Sequence, residues 1–166
     1  MIGFYDYTVI MTYASLCISM IGMYYAFTGH THVALMCLAI SGFLDSFDGK
    51  VARTKKNRTE DEKRFGIQID SLCDLCCFGV FPVVICFHSG MHALWQLLIL
   101  TFFVLAGLIR LAFFNVTEEN RQQQDEGVRK YYQGLPITTS AIILPLVFFL
   151  SPFFRQYFQL VLSATM

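Results

Sequence analysis

An all-α, polytopic membrane helix bundle is the fold that the sequence predicts, and three observations carry that reading. Hydrophobic residues make up 55% of the chain, with 16% aromatic, only 14% charged, and a mean hydropathy of +0.54. Apolar segments of membrane-spanning length recur between short polar turns. Lys and Arg collect in two of the connecting loops, as they do on the cytoplasmic side of membrane proteins. In lipid each segment must satisfy its own backbone groups, which makes helices the expected elements. The 166 residues suit a single domain, 1–166, and the 12 basic residues balance the 12 acidic ones. With no bulk basic field, nucleic acid is not an expected partner.

Residues 7–27 contain no Lys, Arg, Asp or Glu and form the first span. The residues before them carry no positive stretch and no small-residue cleavage site, so this segment reads as an anchor and not a cleaved signal. Gly29-His30-Thr31-His32 turns the chain into a second segment, 33–53. Residues 54–65 read as a charged, solvated connector whose bases are also suited to anionic lipid headgroups. The third span runs from Gly66 to His88 and includes Pro82, a kink position. Ser89-Gly90 leads to a fourth span, 92–116, with Arg110 inside it. Polar residues 117–133 follow and contain Arg129-Lys130-Tyr131-Tyr132; a fifth span, 135–150, ends at Ser151-Pro152. The remainder to Met166 is short for a span, so the last of about six helices is expected to be tilted, partial or cut off.

The loop 54–65 has five Lys/Arg and 117–133 has three, whereas the turns at 28–32 and 88–91 have none. That asymmetry places both long loops, and both termini, on the cytoplasmic side. His30, His32, His88 and His92 fall at the opposite turns, where they read as interfacial polar residues. The six cysteines are scattered through apolar segments and read as reduced, buried thiols. The Cys73-x2-Cys76 spacing has no second pair and lies in an apolar helix, which argues against zinc.

The chemistry gathers between Asp45 and Asp74. On a helix at about 100° per residue, Asp45, Asp48, Gly49, Ala52 and Arg53 fall within an arc of roughly 140°, and Gly66, Asp70 and Asp74 within roughly 80°. Each helix thus carries an acidic stripe, relieved by small residues that let a ligand approach the backbone. Ionised groups at such positions are costly and usually functional. Four neighbouring carboxylates cannot all stay charged without compensating cations. Two divalent ions would neutralise them, and oxygen-only ligands favour a hard ion such as Mg²⁺ or Mn²⁺.

Asp45-x2-Asp48-Gly49-x2-Ala52-Arg53, a spacer, then Gly66-x3-Asp70-x3-Asp74 resembles the signature of the CDP-alcohol phosphotransferase family, integral membrane enzymes that join a CDP-linked lipid or alcohol to a second alcohol and release CMP. All eight positions are present; the departure is a twelve-residue spacer, longer than the family's usual one. The stretches 70–82, 110–116 and 131–138 are similar to the phosphatidylserine synthase branch, and the resemblance covers most of residues 33–150. It implies transfer of a phosphatidyl group from CDP-diacylglycerol to L-serine at a two-metal site facing the cytoplasm, in a homodimer. Asp45, Asp48, Asp70 and Asp74 are the implied metal ligands, with Asp74 also the base for the acceptor hydroxyl. Asp48, Gly49, Ala52, Arg53 and Gly66 are assigned to the CDP-lipid: Gly49 and Ala52 opening space for cytidine, Arg53 binding phosphate, Gly66 permitting close approach. Arg110, a cation inside a span, is a candidate anchor for the acceptor carboxylate; Asn115, Tyr131, Tyr132 and Thr138 are candidate polar contacts beside it. Glycerol 3-phosphate and inositol phosphate are alternative acceptors, although a dianionic phosphate should call for several basic residues. A cation transporter would spread its carboxylates through the membrane depth, and a non-catalytic scaffold would not need the complete signature.

Overall fold

The computed structural model describes residues 9–52, 59–123, 136–153 and 157–166, and among these not the side chains of 48–52, 60 and 120–123. The described residues form helices and turns, without strands: α1 (Ile10–Phe27), α2 (Thr31–Ala52), α3 (Glu60–Asp74), α4 (Phe81–His88), α5 (Leu94–Gln123), α6 (Ser140–Phe149) and α7 (Phe158–Thr165). A π-helical stretch, Leu75–Val80, carries α3 directly into α4, and a 3₁₀ turn, Ile137–Thr139, opens α6. Ile10–Phe27, Asp61–His88 and Leu94–Glu119 are long and apolar enough to cross a membrane; Thr31–Phe47 and Ile137–Phe149 are shorter apolar helices. With the eight-residue α7, the order is the expected one, ending in a short helix.

The helices are sorted for lipid and not for water. The buried residues of α1 are Thr12, Ser15, Ser19, Gly22 and Ala26, spaced by three and four along one face. Met20, Ile21, Tyr24 and Phe27 are each more than half exposed. Small residues inward and large apolar ones outward is the arrangement by which helix backbones approach closely in a bilayer. α1 packs along α2 in this way, and Ser15 Oγ donates to the Ser41 carbonyl at 3.1 Å. Behind them Leu38, Phe78, Phe81, Ile85, Met91, Leu100 and Leu162 are fully enclosed. A Cβ at Gly22 would run into the Phe81 ring and lie 2.8 Å from Cys37 Cβ. Gly22→Val is therefore expected to destabilise the bundle by about 1–3 kcal/mol, read as a lowered melting temperature in detergent, while Ala39→Val on α2, an exposed position, leaves it nearly unchanged.

Two turns need glycine for its backbone. Gly29 and Gly90 have φ of 82° and 107°, the left-handed region other residues rarely enter, and they join α1 to α2 and α4 to α5.

Two segments read as loop are partly helical. Glu60–Phe65 belong to α3 because Thr59 caps it: Thr59 Oγ1 accepts from the Glu62 amide at 3.2 Å, and Glu62 Oε2 accepts from the Thr59 amide at 3.0 Å. Three acidic residues, Glu60 to Glu62, also suit the positive end of the helix dipole. Likewise α5 runs past residue 116 to Gln123, since Glu, Arg and Gln favour helix and only the apolar pattern stops there. Pro82 has no N–H to give the carbonyl of Phe78, four residues back. That carbonyl instead accepts from Ser140 Oγ at 2.9 Å, while the Phe81 amide reaches five residues back to Cys76. The irregular turn thus lies just ahead of the proline, and it ties α6 to the third span. The cysteines are free thiols, with Cys73, Cys77 and Cys86 buried but Cys17 and Cys76 on the outer surface.

Candidate metal and substrate site

α2 brings Asp45, and α3 brings Asp70 and Asp74, to one place. One carboxylate oxygen from each lies within 4.8 Å of the others, and all three residues are half-buried; Asp70 Oδ1 is shut off from solvent. The four-residue step from Asp70 to Asp74 keeps both on one face of α3. Asp45 is fixed one turn after Ser41, whose carbonyl accepts from α1. Gly42, between them, lets α6 in: a Cβ there would lie 2.6 Å from Ala141 Cβ.

The donor set fits a divalent metal. Oxygen ligands sit at about 2.0–2.5 Å from Mg²⁺ or Ca²⁺-sized ions, so two of them on one ion are separated by at most about 5 Å. Three carboxylate oxygens within 4.8 Å of one another lie close to the spacing of ligands on a shared metal site, and an all-oxygen donor set selects Mg²⁺ or Mn²⁺ over softer metals. Gly66 lies one turn before Asp70 on the same stripe. Asp48, Gly49 and Ala52 continue α2 past Asp45, but their side chains, like Arg53, Tyr131 and Tyr132 altogether, lie outside the described residues.

Arg110 and Asn115 have different neighbours, as five residues on a helix, about 140° of turn, require. Arg110 lines a cleft of about 240 Å³ between α5 and α6, together with Phe103, Gly107, Ile137, Thr139 and Ser140. Its guanidinium also lies 5.2 Å from the centre of the Phe114 ring, a cation–π contact. Ile137 seats the 3₁₀ turn against Gly107, where a Cβ would come 2.5 Å from its Cδ1. Thr138 is half-buried in that turn, between two cleft-lining residues. Asn115 turns instead to α3: Ser71 Oγ donates to Asn115 Oδ1 at 2.7 Å, and Asn115 Nδ2 donates to Gln68 Oε1 at 3.3 Å. Gln68 and Ser71 belong to no motif of their own in the sequence. Their three-residue spacing beside the acidic stripe was visible, but a partner on α5 was not.

At the far end, each imidazole with a resolved contact has a local one. His30 Nδ1 is 3.1 Å from Thr28 Oγ1, and the rings of His88 and His92 meet Phe27 and Phe87 edge to face.

Comparison with known proteins points the same way as the geometry. The family model described as CDP-alcohol phosphatidyltransferase matches residues 8–166. A CDP-diacylglycerol–serine O-phosphatidyltransferase of Saccharomyces cerevisiae is 43% identical over 106 residues, 63% of this chain and 37% of its own. One of the same name from Helicobacter pylori is 31% identical over 139 residues, 82% of this chain and 54% of its own. An archaetidylserine synthase of Methanothermobacter thermautotrophicus is 31% identical over 129 residues, 77% of this chain and 51% of its own. The matched part of the chain thus spans between about a third and a half of these relatives' lengths. No solved structure matches the chain.

Proposed function

The chain belongs to the CDP-alcohol phosphatidyltransferase family, and from that premise we propose that it transfers the phosphatidyl group of CDP-diacylglycerol to the hydroxyl of L-serine, giving phosphatidylserine and CMP. The observation that carries the reading is the convergence of Asp45, Asp70 and Asp74 from two helices. Serine as acceptor is supported by the names of the relatives and by Arg110, a cation in a mainly apolar cleft, matched to one carboxylate.

In this reading residues 1–166 work as one catalytic domain. Asp45, Asp70 and Asp74, with Asp48, would hold two Mg²⁺ or Mn²⁺ ions. Bound there, the metal supplies charge neutralisation for the diphosphate and for the departing CMP phosphate. Asp74 takes the proton from the serine hydroxyl. The serine oxygen forms its bond to the phosphorus that carries diacylglycerol, and the bond from that phosphorus to the bridging oxygen breaks, releasing CMP. Arg110 holds the serine carboxylate, Tyr131, Tyr132 and Thr138 stand at the mouth, and Gly49, Ala52, Arg53 and Gly66 accommodate the CDP-lipid. The Lys/Arg asymmetry of the loops supports a cytoplasmic active site. A homodimer is the assembly expected from the resemblance.

Product analysis tests this. Purified protein given CDP-diacylglycerol, Mn²⁺ and isotopically labelled serine should yield labelled phosphatidylserine by mass spectrometry. Label appearing only from glycerol 3-phosphate or inositol phosphate would keep the chemistry and replace the acceptor. Label in no lipid, from folded protein, would reject the reading.

A further inference from the structure

Asn115 is engaged on α3 through both halves of its amide, and its contacts flank the acidic residues. Ser71, which donates to it at 2.7 Å, directly follows Asp70 and lies about 60° around the helix from Asp74. Gln68, which accepts from it at 3.3 Å, sits on the same side three residues earlier. We infer that Asn115 and Ser71 are positioning residues for the metal-binding carboxylates, fixing the rotation of α3 about its axis, and that Asn115 does not itself contact the acceptor. The inference rests on the proposed metal-dependent transfer.

The physical need for such a clamp comes from the fold. A side-chain oxygen lies about 6 Å from its helix axis, so a rotation of about 20° moves it by about 2 Å. That displacement equals a metal–oxygen bond length of about 2 Å and would take Asp70 and Asp74 out of a shell shared with Asp45. On its C-terminal side α3 runs straight into the π-helical stretch Leu75–Val80. Such turns are rare and lack the regular α-helical bonding, so α4 holds the rotation of α3 less firmly than a continuous α-helix would. The link to α5 acts at the level of the carboxylates themselves, and α5 is a single thirty-residue helix. Uncharged partners suit this role: they link the helices without adding charge beside the acidic residues.

Mn²⁺ binding to the purified protein, followed by the electron paramagnetic resonance signal of free Mn²⁺, reads the effect without turnover. Ser71→Ala and Asn115→Ala should each weaken Mn²⁺ binding by about three- to tenfold, the range for an interhelical hydrogen bond in a membrane. The double variant should be little worse than Asn115→Ala alone, because both remove one link. Ser71→Thr, which keeps the hydroxyl, should restore binding, and a purely bulk-packing role would not distinguish it from alanine. In turnover, both alanine variants should lower kcat and raise the Mn²⁺ requirement with the serine KM unchanged. Unaltered Mn²⁺ affinity in the two alanine variants would overturn the inference, as would a raised serine KM in Asn115→Ala. Should Asn115→Ala fail to fold, the Ser71→Ala and Ser71→Thr pair decides. Failure of the wild-type protein to make phosphatidylserine would sink the functional reading but leave the Mn²⁺ titration readable.

Discussion

Asp70→Asn and Asp74→Asn are each expected to slow CMP release from CDP-diacylglycerol by about a thousandfold, the scale at which a positioned acid or base contributes. The substitution keeps size and shape but removes the charge. Asp70 and Asp74 each lie with Asp45 in a cluster whose oxygens are within 4.8 Å of one another, so either loss would open the proposed metal shell, and loss at Asp74 would also remove the proposed base. Asparagine leaves α3 able to form, because Asp70 and Asp74 lie beyond its first turn, where the Thr59–Glu62 cap operates. Both variants should therefore be recovered folded from detergent, with melting temperatures close to the parent's in chelator. Near-normal turnover by either would refute the assignment of these carboxylates.

Arg110→Ala is the second large effect. A charge-assisted hydrogen bond is worth about 1.5–3 kcal/mol, so removal of the anchor should cut kcat/KM for serine by about ten- to a hundredfold, mostly through KM. Arg110→Lys should recover only part of this, since an ammonium cannot offer the two parallel N–H groups that grip a carboxylate. The cleft around Arg110 is lined mainly by apolar side chains such as Phe103 and Ile137. A change confined to the apparent affinity for CDP-diacylglycerol would place Arg110 on the lipid instead of on serine.

Local regularities explain what the sequence made legible. Spacings of three and four place residues on one helix face without knowledge of the rest of the chain, and Asp70 and Asp74 are found together for that reason. Asp45 joins them only through the fold, which brings its carboxylate on α2 to those on α3. Gly29 and Gly90 mark turns by their freedom of φ, and both turns are where the sequence puts them. The first turn of α3 is hidden for an opposite reason: a run of charge resembles a loop, although Thr59-x2-Glu62 is itself a helix-start pattern. The extension of α5 to Gln123 has the same origin, since polarity ends a membrane span but not a helix. Asn115 has neighbours that the sequence does not reveal, because hydrogen bonds across 44 and 47 residues depend on how α5 is turned. The Ser140 hydroxyl that serves the carbonyl freed by Pro82 is hidden for the same reason: the proline announces the need, and only the packing shows the donor.

The most direct test is CMP release and phosphatidylserine formation measured together in the purified protein, with serine and Mn²⁺ and again with excess chelator. The two products should appear in equal amounts, only when serine is present, and should stop together when the metal is removed. CMP release that persists undiminished in chelator, or its absence from protein shown to be folded and supplied with metal, would contradict a metal-dependent phosphatidyl transfer at Asp45, Asp70 and Asp74.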